Sequence, residues 1–149
     1  MMATRPLPVV TPDTAPFWEG LSRGELRMQT CSECGRMRFY PGPVCPYCRS
    51  RDSHWVTVSG HGTIDTWTVV HRTTLSWFAD NLPYVVALIR LAEDPTVRIA
   101  SNVEIEDPAD LREGMAVEAR FSVLADSIGI HHFVPVDATA SGETAGRVE

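Results

Sequence analysis

Read for alternation of apolar and polar positions, the chain predicts a mostly β protein with one short helix near its start. Residues 1–12 are rich in proline and threonine and read as an irregular arm. Asp13 or Thr14 can cap a helix there, with Pro16 tolerated in the first turn. Phe17 and Leu21 share a face at i and i+4 with Trp18 beside them, Glu19 and Arg23 pair on the other, and Gly24 ends the helix. Over 25–30, Leu26, Met28 and Thr30 alternate with Arg27 and Gln29, which is strand periodicity. A return strand over 37–40, a turn at Pro41-Gly-Pro43 and a strand over 55–58 complete a small ribbon. Ser59-Gly60-His61-Gly62 reads as a flexible joint.

Beyond the joint the pattern is all strand, over 63–71, 84–91, 96–103, 115–124 and 128–136. The second of these is almost continuously apolar, as expected where both faces are covered. Asp107, Pro108 and Gly114 predict one helical turn between the third and fourth. In the fourth, Met115, Val117, Ala119, Phe121 and Val123 are expected to face in, with Glu118, Arg120 and Ser122 facing out. Five strands with a short helix between the third and fourth is the layout of an OB-type barrel. The expected organisation is therefore an arm and short helix over 1–24, a ribbon over 25–58, a five-stranded barrel over 59–136, and a disordered Ala/Thr/Ser/Gly-rich tail over 137–149.

All four cysteines fall in two Cys-x2-Cys knuckles inside the ribbon, Cys31-Ser-Glu-Cys34 and Cys45-Pro-Tyr-Cys48. Each knuckle points two sulfurs at one ion, so the pair predicts a closed tetrahedral zinc site with no position open for water or substrate. Such a site is a staple rather than a catalyst. Two disulfides would need an oxidising compartment, and a redox Cys-x2-Cys accounts for one pair but not both.

The totals narrow the chemistry. With 149 residues and 44% hydrophobic positions, the chain can form one ordinary domain or two small modules with a real core. No window approaches the roughly 18 apolar residues of a membrane span, and the first residues lack the apolar run of a signal peptide. With reduced cysteines, the expectation is a cytoplasmic protein away from membranes. The net charge is −6, and all 13 basic residues are arginine. Without lysine, Schiff-base chemistry is excluded. The acidic balance argues against tight nucleic-acid binding, although Arg36, Arg38, Arg49 and Arg51 crowd the ribbon against only Glu33 and Asp52. Those arginines read as partial neutralisation of a tetrathiolate zinc site, with a phosphate-binding face as the alternative.

A catalytic centre is hard to assemble from what remains. The thiols are committed to metal, and no Gly-x-Ser-x-Gly elbow occurs. His131 and His132 sit on a strand, where neighbours point to opposite faces and cannot share a metal. His61 lies in the joint, His71 at a strand end, and Asp65 is expected to face solvent. The loop over 72–83 is more informative, because Leu75, Trp77 and Phe78 border the usual binding face of an OB barrel. They either fold over the barrel mouth or anchor another subunit. Phe17 and Trp18 pose the same choice, between the protein's own ribbon or barrel and a partner or acyl chain.

Taken in order, Phe17-Trp-Glu-Gly-Leu21, Gly24-Glu-Leu26, Gln29-Thr-Cys-Ser-Glu-Cys-Gly35, Cys45-Pro-Tyr-Cys48 and Trp55 resemble the zinc-ribbon OB-fold family labelled domain of unknown function thirty-five. Gly60-His-Gly-Thr-Ile-Asp-Thr-Trp-Thr-Val-Val-His71, Pro83-Tyr-Val-Val-Ala87, Gly114-Met-Ala-Val117 and Phe133-Val-Pro135 resemble the same family's barrel. The resemblance covers roughly residues 12–136. It implies an N-terminal helix, a rubredoxin-like zinc ribbon held by Cys31, Cys34, Cys45 and Cys48, and a C-terminal OB domain. It also implies a non-catalytic accessory subunit in a hetero-oligomer with an acyl-CoA enzyme: a thiolase, a thiolase-like aldolase or a hot-dog hydratase. There the barrel would help shape the channel for a coenzyme A thioester. Phe17, Trp18, Trp77 and Phe78 are then the candidate contacts to partner or ligand. Arg90 and Arg98, flanking one hairpin turn, are candidates for the coenzyme's phosphates, unless both pair with Glu93 or Asp94. The other readings are a nucleic-acid-binding ribbon and barrel, or a stand-alone acyl-CoA-binding module.

Overall fold

The computed structural model describes residues 5–124 and 127–136; the tail expected to be disordered lies outside them. Helix α1 (Ala15–Ser22) begins after Thr14, whose hydroxyl donates back to the Thr11 carbonyl at 3.3 Å rather than capping the first turn. It stops at Gly24, which turns at φ +76° while Glu25 N–H closes on the Gly20 carbonyl at 2.9 Å. The i, i+4 pair Phe17 and Leu21 is buried, Phe17 to 1% exposure. The helix packs on the first ribbon strand and the last two barrel strands.

The ribbon is a three-stranded antiparallel sheet in the order β2-β1-β3, from β1 (Leu26–Cys31), β2 (Met37–Arg38) and β3 (Ser53–Val58). Strand alternation placed Gln29 outside with Arg27. Gln29 is instead buried, because its amide is fully used. Its Oε1 accepts from Arg38 Nε at 2.8 Å and from Gly42 N–H at 2.9 Å, and its Nε2 donates to Ser53 Oγ at 3.1 Å. One side chain thus ties all three strands and the following turn together.

The second unit is a closed barrel, β4-β5-β6-β8-β7, from β4 (His61–Val70), β5 (Tyr84–Leu91), β6 (Arg98–Val103), β7 (Ala116–Val123) and β8 (Gly129–Pro135). All contacts are antiparallel except β6 with β8, which run parallel where Val103 meets Phe133. Between β6 and β7 the expected helical turn is a 3-10 turn, Pro108–Asp110, capped by the Asp107 carboxylate. Ile64, Val85, Ala87, Ile89, Leu91, Ile99, Val103, Val117 and Phe133 fill the interior, and Phe17, Leu21, Leu26 and Met28 extend the same core into helix and ribbon.

Two patterns differ from expectation. The β5 run is covered on one face only: Val85, Ala87, Ile89 and Leu91 point inward, while Leu88 is exposed. In β7 the inward alternation holds at Val117 and Ala119, but Met115 and Phe121 are half-buried and Val123 is 59% exposed. The reason is pairing. β4 covers β7 only from Ala116 to Glu118, so the far half has β8 on one side and, among the described residues, no strand on the other.

Candidate functional site

The two knuckles are built by the same backbone device. Gly35 N–H closes on the Cys31 carbonyl at 3.0 Å and Arg49 N–H on the Cys45 carbonyl at 2.9 Å. Both closing residues are left-handed, Gly35 at φ +71° and Arg49 at φ +64°. This brings the four sulfurs within 4.8 Å of one another, with Cys31–Cys48 at 3.6 Å and Cys34–Cys45 at 3.7 Å. A tetrahedron with metal–sulfur bonds of about 2.3 Å has edges of roughly 3.8 Å, so the four thiols are positioned to hold one metal ion. The N–H groups of Cys48 and Tyr47 pull Cys45 down to about 6, and those of Cys34 and Glu33 lower Cys31. Each knuckle thereby favours the thiolate at its first, buried cysteine.

A second feature lies at the barrel mouth, between the β4–β5 loop and the start of β8. The loop carries a short helix α2 (Ser76–Ala79), absent from the sequence expectation. Trp77 and Phe78 stack edge-on with centroids 4.8 Å apart, Phe78 leans on Tyr84, and the Arg5 guanidinium sits 4.8 Å over the Trp77 ring. These residues, with Val103, Ile105 and His131, line a cavity of about 410 Å³. Residue type and spacing alone assign His131 no role. Its Nδ1 lies 2.7 Å from Ser101 Oγ, and its ring packs edge-on against Phe17 and Phe133. Burial, reinforced by the charge of His132, lowers its pKa to about 4, so the imidazole is neutral at pH 7. His132 turns the other way, 3.4 Å from Glu104. Strand alternation required this split; only the register shows that His131 is the one packed on Phe17 and Phe133, and both histidines border the cavity.

The remaining candidates separate. Phe17 is sealed in the core, 1% exposed; the amphipathic helix needed a surface, and the barrel supplied it. Trp18 is half-buried against that core, its indole N–H without a hydrogen-bond partner among the described residues. Arg90 and Arg98 stand directly opposite each other across the β5–β6 pair. They do not pair with Glu93 or Asp94: Glu93 accepts from Ser59 N–H and Asp94 from Thr96. Both instead engage Asp65, which a bulge between Ile64 and Thr66 turns toward them. Asp65 is thus 14% exposed rather than a solvent-facing acid. The four ribbon arginines form no single exposed row, since Arg38 is buried on Gln29 and Gly42, and Arg36 lies 4.4 Å over the Tyr47 ring.

No described helix is long and apolar enough to cross a membrane. Two family models match in tandem: the rubredoxin-like zinc ribbon domain of ChsH2 over residues 18–53, and the C-terminal OB-fold domain of ChsH2 over residues 55–122. The chain is 35% identical to a probable enoyl-CoA hydratase alpha subunit of Thermomonospora curvata, over 77% of this chain and 35% of that protein. It is 41% identical to a DUF35 domain-containing scaffold protein of Pyrococcus furiosus, over 58% of this chain and 61% of the relative. It therefore spans about a third of the first relative and three-fifths of the second. A solved structure described as Ltp2-ChsH2(DUF35) aldolase superposes with a TM-score of 0.77 at 30% identity, covering 87% of this chain and 98% of that one. With ribbon, barrel and tetrathiol cluster in matching order, the chain belongs to the DUF35 family of zinc-ribbon and OB-fold proteins.

Proposed function

We propose that this chain is a non-catalytic accessory subunit of a cytoplasmic acyl-CoA enzyme, whose partner is a thiolase, a thiolase-like aldolase or a hot-dog hydratase. The observation that carries the reading is the likeness over 98% of the chain in the solved aldolase. The curated hydratase relative points to the same substrate class. The chain's own chemistry agrees. Acyl transfer or carbon–carbon cleavage on a thioester needs a nucleophile or base and an oxyanion hole. Here the four thiols gather in one cluster, lysine is absent, and His131 is held against Ser101 beneath aromatic rings.

In this reading Cys31, Cys34, Cys45 and Cys48 hold one structural zinc. The barrel docks the partner through the Trp77-Phe78 loop, and the adjoining cavity forms part of the acyl or coenzyme A channel. The test is a pull-down: tagged chain, co-expressed with a candidate acyl-CoA enzyme, retains that enzyme, and Trp77→Ala releases it. Turnover of acyl-CoA substrates by the isolated, metal-loaded chain would refute the non-catalytic assignment.

A further inference from the structure

The arm before helix α1 is tied down at both ends and hardly at all between them. At its base, Thr11 N–H donates to Thr14 Oγ1 at 3.0 Å, and the Thr11 carbonyl accepts from Ala15 N–H at 2.8 Å. At the other end, the Arg5 guanidinium sits 4.8 Å from the Trp77 ring centroid and 5.9 Å from that of Phe78. Among the described residues, positions 5–10 make no hydrogen bond and Arg5 makes no ion pair. Leu7, Val9 and Val10 are exposed, Val9 to 82%, so apolar packing does not hold the span either. One cation–π contact therefore carries the closure. Such a contact favours the closed arrangement by roughly twofold to thirtyfold, enough to populate it and weak enough to be released. Pro6, Pro8 and Pro12 stiffen the span, so a released arm gains little conformational freedom. Arg5 also forms part of the wall of the barrel-mouth cavity, beside the two rings that it covers.

We propose that the arm is a strap, closed by Arg5 over the Trp77-Phe78 face of the barrel mouth, and that it competes with the partner for that face. The guanidinium occupies aromatic surface that an incoming subunit needs. A face covered in most molecules binds its partner with an affinity reduced to the open fraction. Closure over the cavity rests on the Arg5 contact alone; competition with a partner rests on the docking reading above.

The experiment compares the metal-loaded chain with its Arg5→Ala variant, with Val9→Ser as the control. In carbon-13-resolved NMR spectra, the ring currents of Trp77 and Phe78 should move the Arg5 δ protons upfield of an unstacked arginine. Trp77→Ala should return them. The cavity is probed with N-phenyl-1-naphthylamine, a neutral apolar dye. Arg5→Ala should bind the dye at least about threefold more tightly than wild type, and Val9→Ser should match wild type. An acyl-CoA enzyme retained in the pull-down should likewise bind Arg5→Ala at least about threefold more tightly. Its addition to wild type should return the Arg5 signals to the unstacked position. Unstacked Arg5 signals in the free chain, or equal dye binding by wild type and Arg5→Ala, overturn the strap. Equal or weaker enzyme binding by Arg5→Ala overturns the competition. If neither form retains any enzyme, the docking reading fails, while the spectra and the dye still decide the strap.

Discussion

A Cβ placed on Gly129 would lie 2.2 Å from the carbonyl carbon of Leu21, because the last barrel strand passes directly beneath the end of helix α1. The helix is therefore seated on the barrel by backbone contact, with Phe17 and Leu21 driven into the common core. Gly129→Ala must lift the helix or bend the strand. Such overpacking costs about 1–3 kcal/mol, and with backbone on both sides the upper end is expected. Urea denaturation of the variant checks this; a loss below about 0.5 kcal/mol would mean that the helix is not clamped there.

Metal removal should act on the ribbon first. Structural zinc contributes on the order of 10–16 kcal/mol to finger-sized peptides near neutral pH, more than a three-stranded sheet of this size gains by itself. Elemental analysis is expected to give one zinc per chain, and chelation to abolish the protection of ribbon amides in hydrogen exchange. Cys48→Ser should reproduce that loss. Full amide protection in zinc-free protein would contradict the assignment.

Arg49 occupies the left-handed position that Gly35 fills in the first knuckle. A non-glycine residue there costs about 1–2 kcal/mol, partly offset by the roughly 0.5–1 kcal/mol that glycine loses in chain entropy. Arg49→Gly should therefore leave stability unchanged or raise it by up to about 1 kcal/mol, with metal content intact. Differential scanning calorimetry of the zinc-loaded proteins decides it, and a clear destabilisation would point to a contact made by the Arg49 side chain.

His131 makes stability depend on pH. Its folded pKa of about 4 lies below the ordinary value of 6.5, because its ring is buried beside His132. Above pH 6.5 neither state carries the proton and stability is full. As pH falls from 6.5 toward 4, the unfolded chain binds a proton that the folded chain refuses, and stability drops. At about 1.4 kcal/mol per pKa unit the loss from this group is roughly 3 kcal/mol by pH 4. His131→Phe should flatten the profile between pH 6.5 and 4 relative to wild type; parallel profiles would show that the imidazole is solvated and titrates normally.

What the sequence carried well was periodic or spaced by chemistry. The knuckles were legible because the two-residue gap within each pair is itself a coordination geometry, and the barrel because five strands and one turn admit few closures. What escaped depended on register and partners. Gln29 sat at an outward position of an alternating strand, and only Arg38, Gly42 and Ser53 made its burial tolerable. Asp65 looked exposed because a bulge leaves no mark in residue type. Phe17 and Trp18 announced an apolar face without saying what covers it, and the core took Phe17. Val123 obeyed the alternation but ran past the strand that would have buried it.

The Trp77-Phe78 loop is expected to serve assembly rather than stability. Trp77 is half-buried, under the Arg5 guanidinium and edge-on to Phe78. Trp77→Ala should lower the melting temperature of the isolated chain by no more than a few degrees while weakening partner association at least tenfold, as loss of an aromatic anchor does. A large fall in melting temperature with association unchanged would make the loop part of the barrel core.

The most direct measurement of the central claim is the activity of a candidate acyl-CoA enzyme, purified with and without this chain, on its own thioester substrate. The account predicts no turnover by the chain alone, co-elution of the two proteins on gel filtration, and loss of enzyme activity or stability when the chain is withheld. A partner fully active and stable by itself, eluting apart from this chain for every thiolase-type, aldolase and hydratase candidate tried, would contradict it.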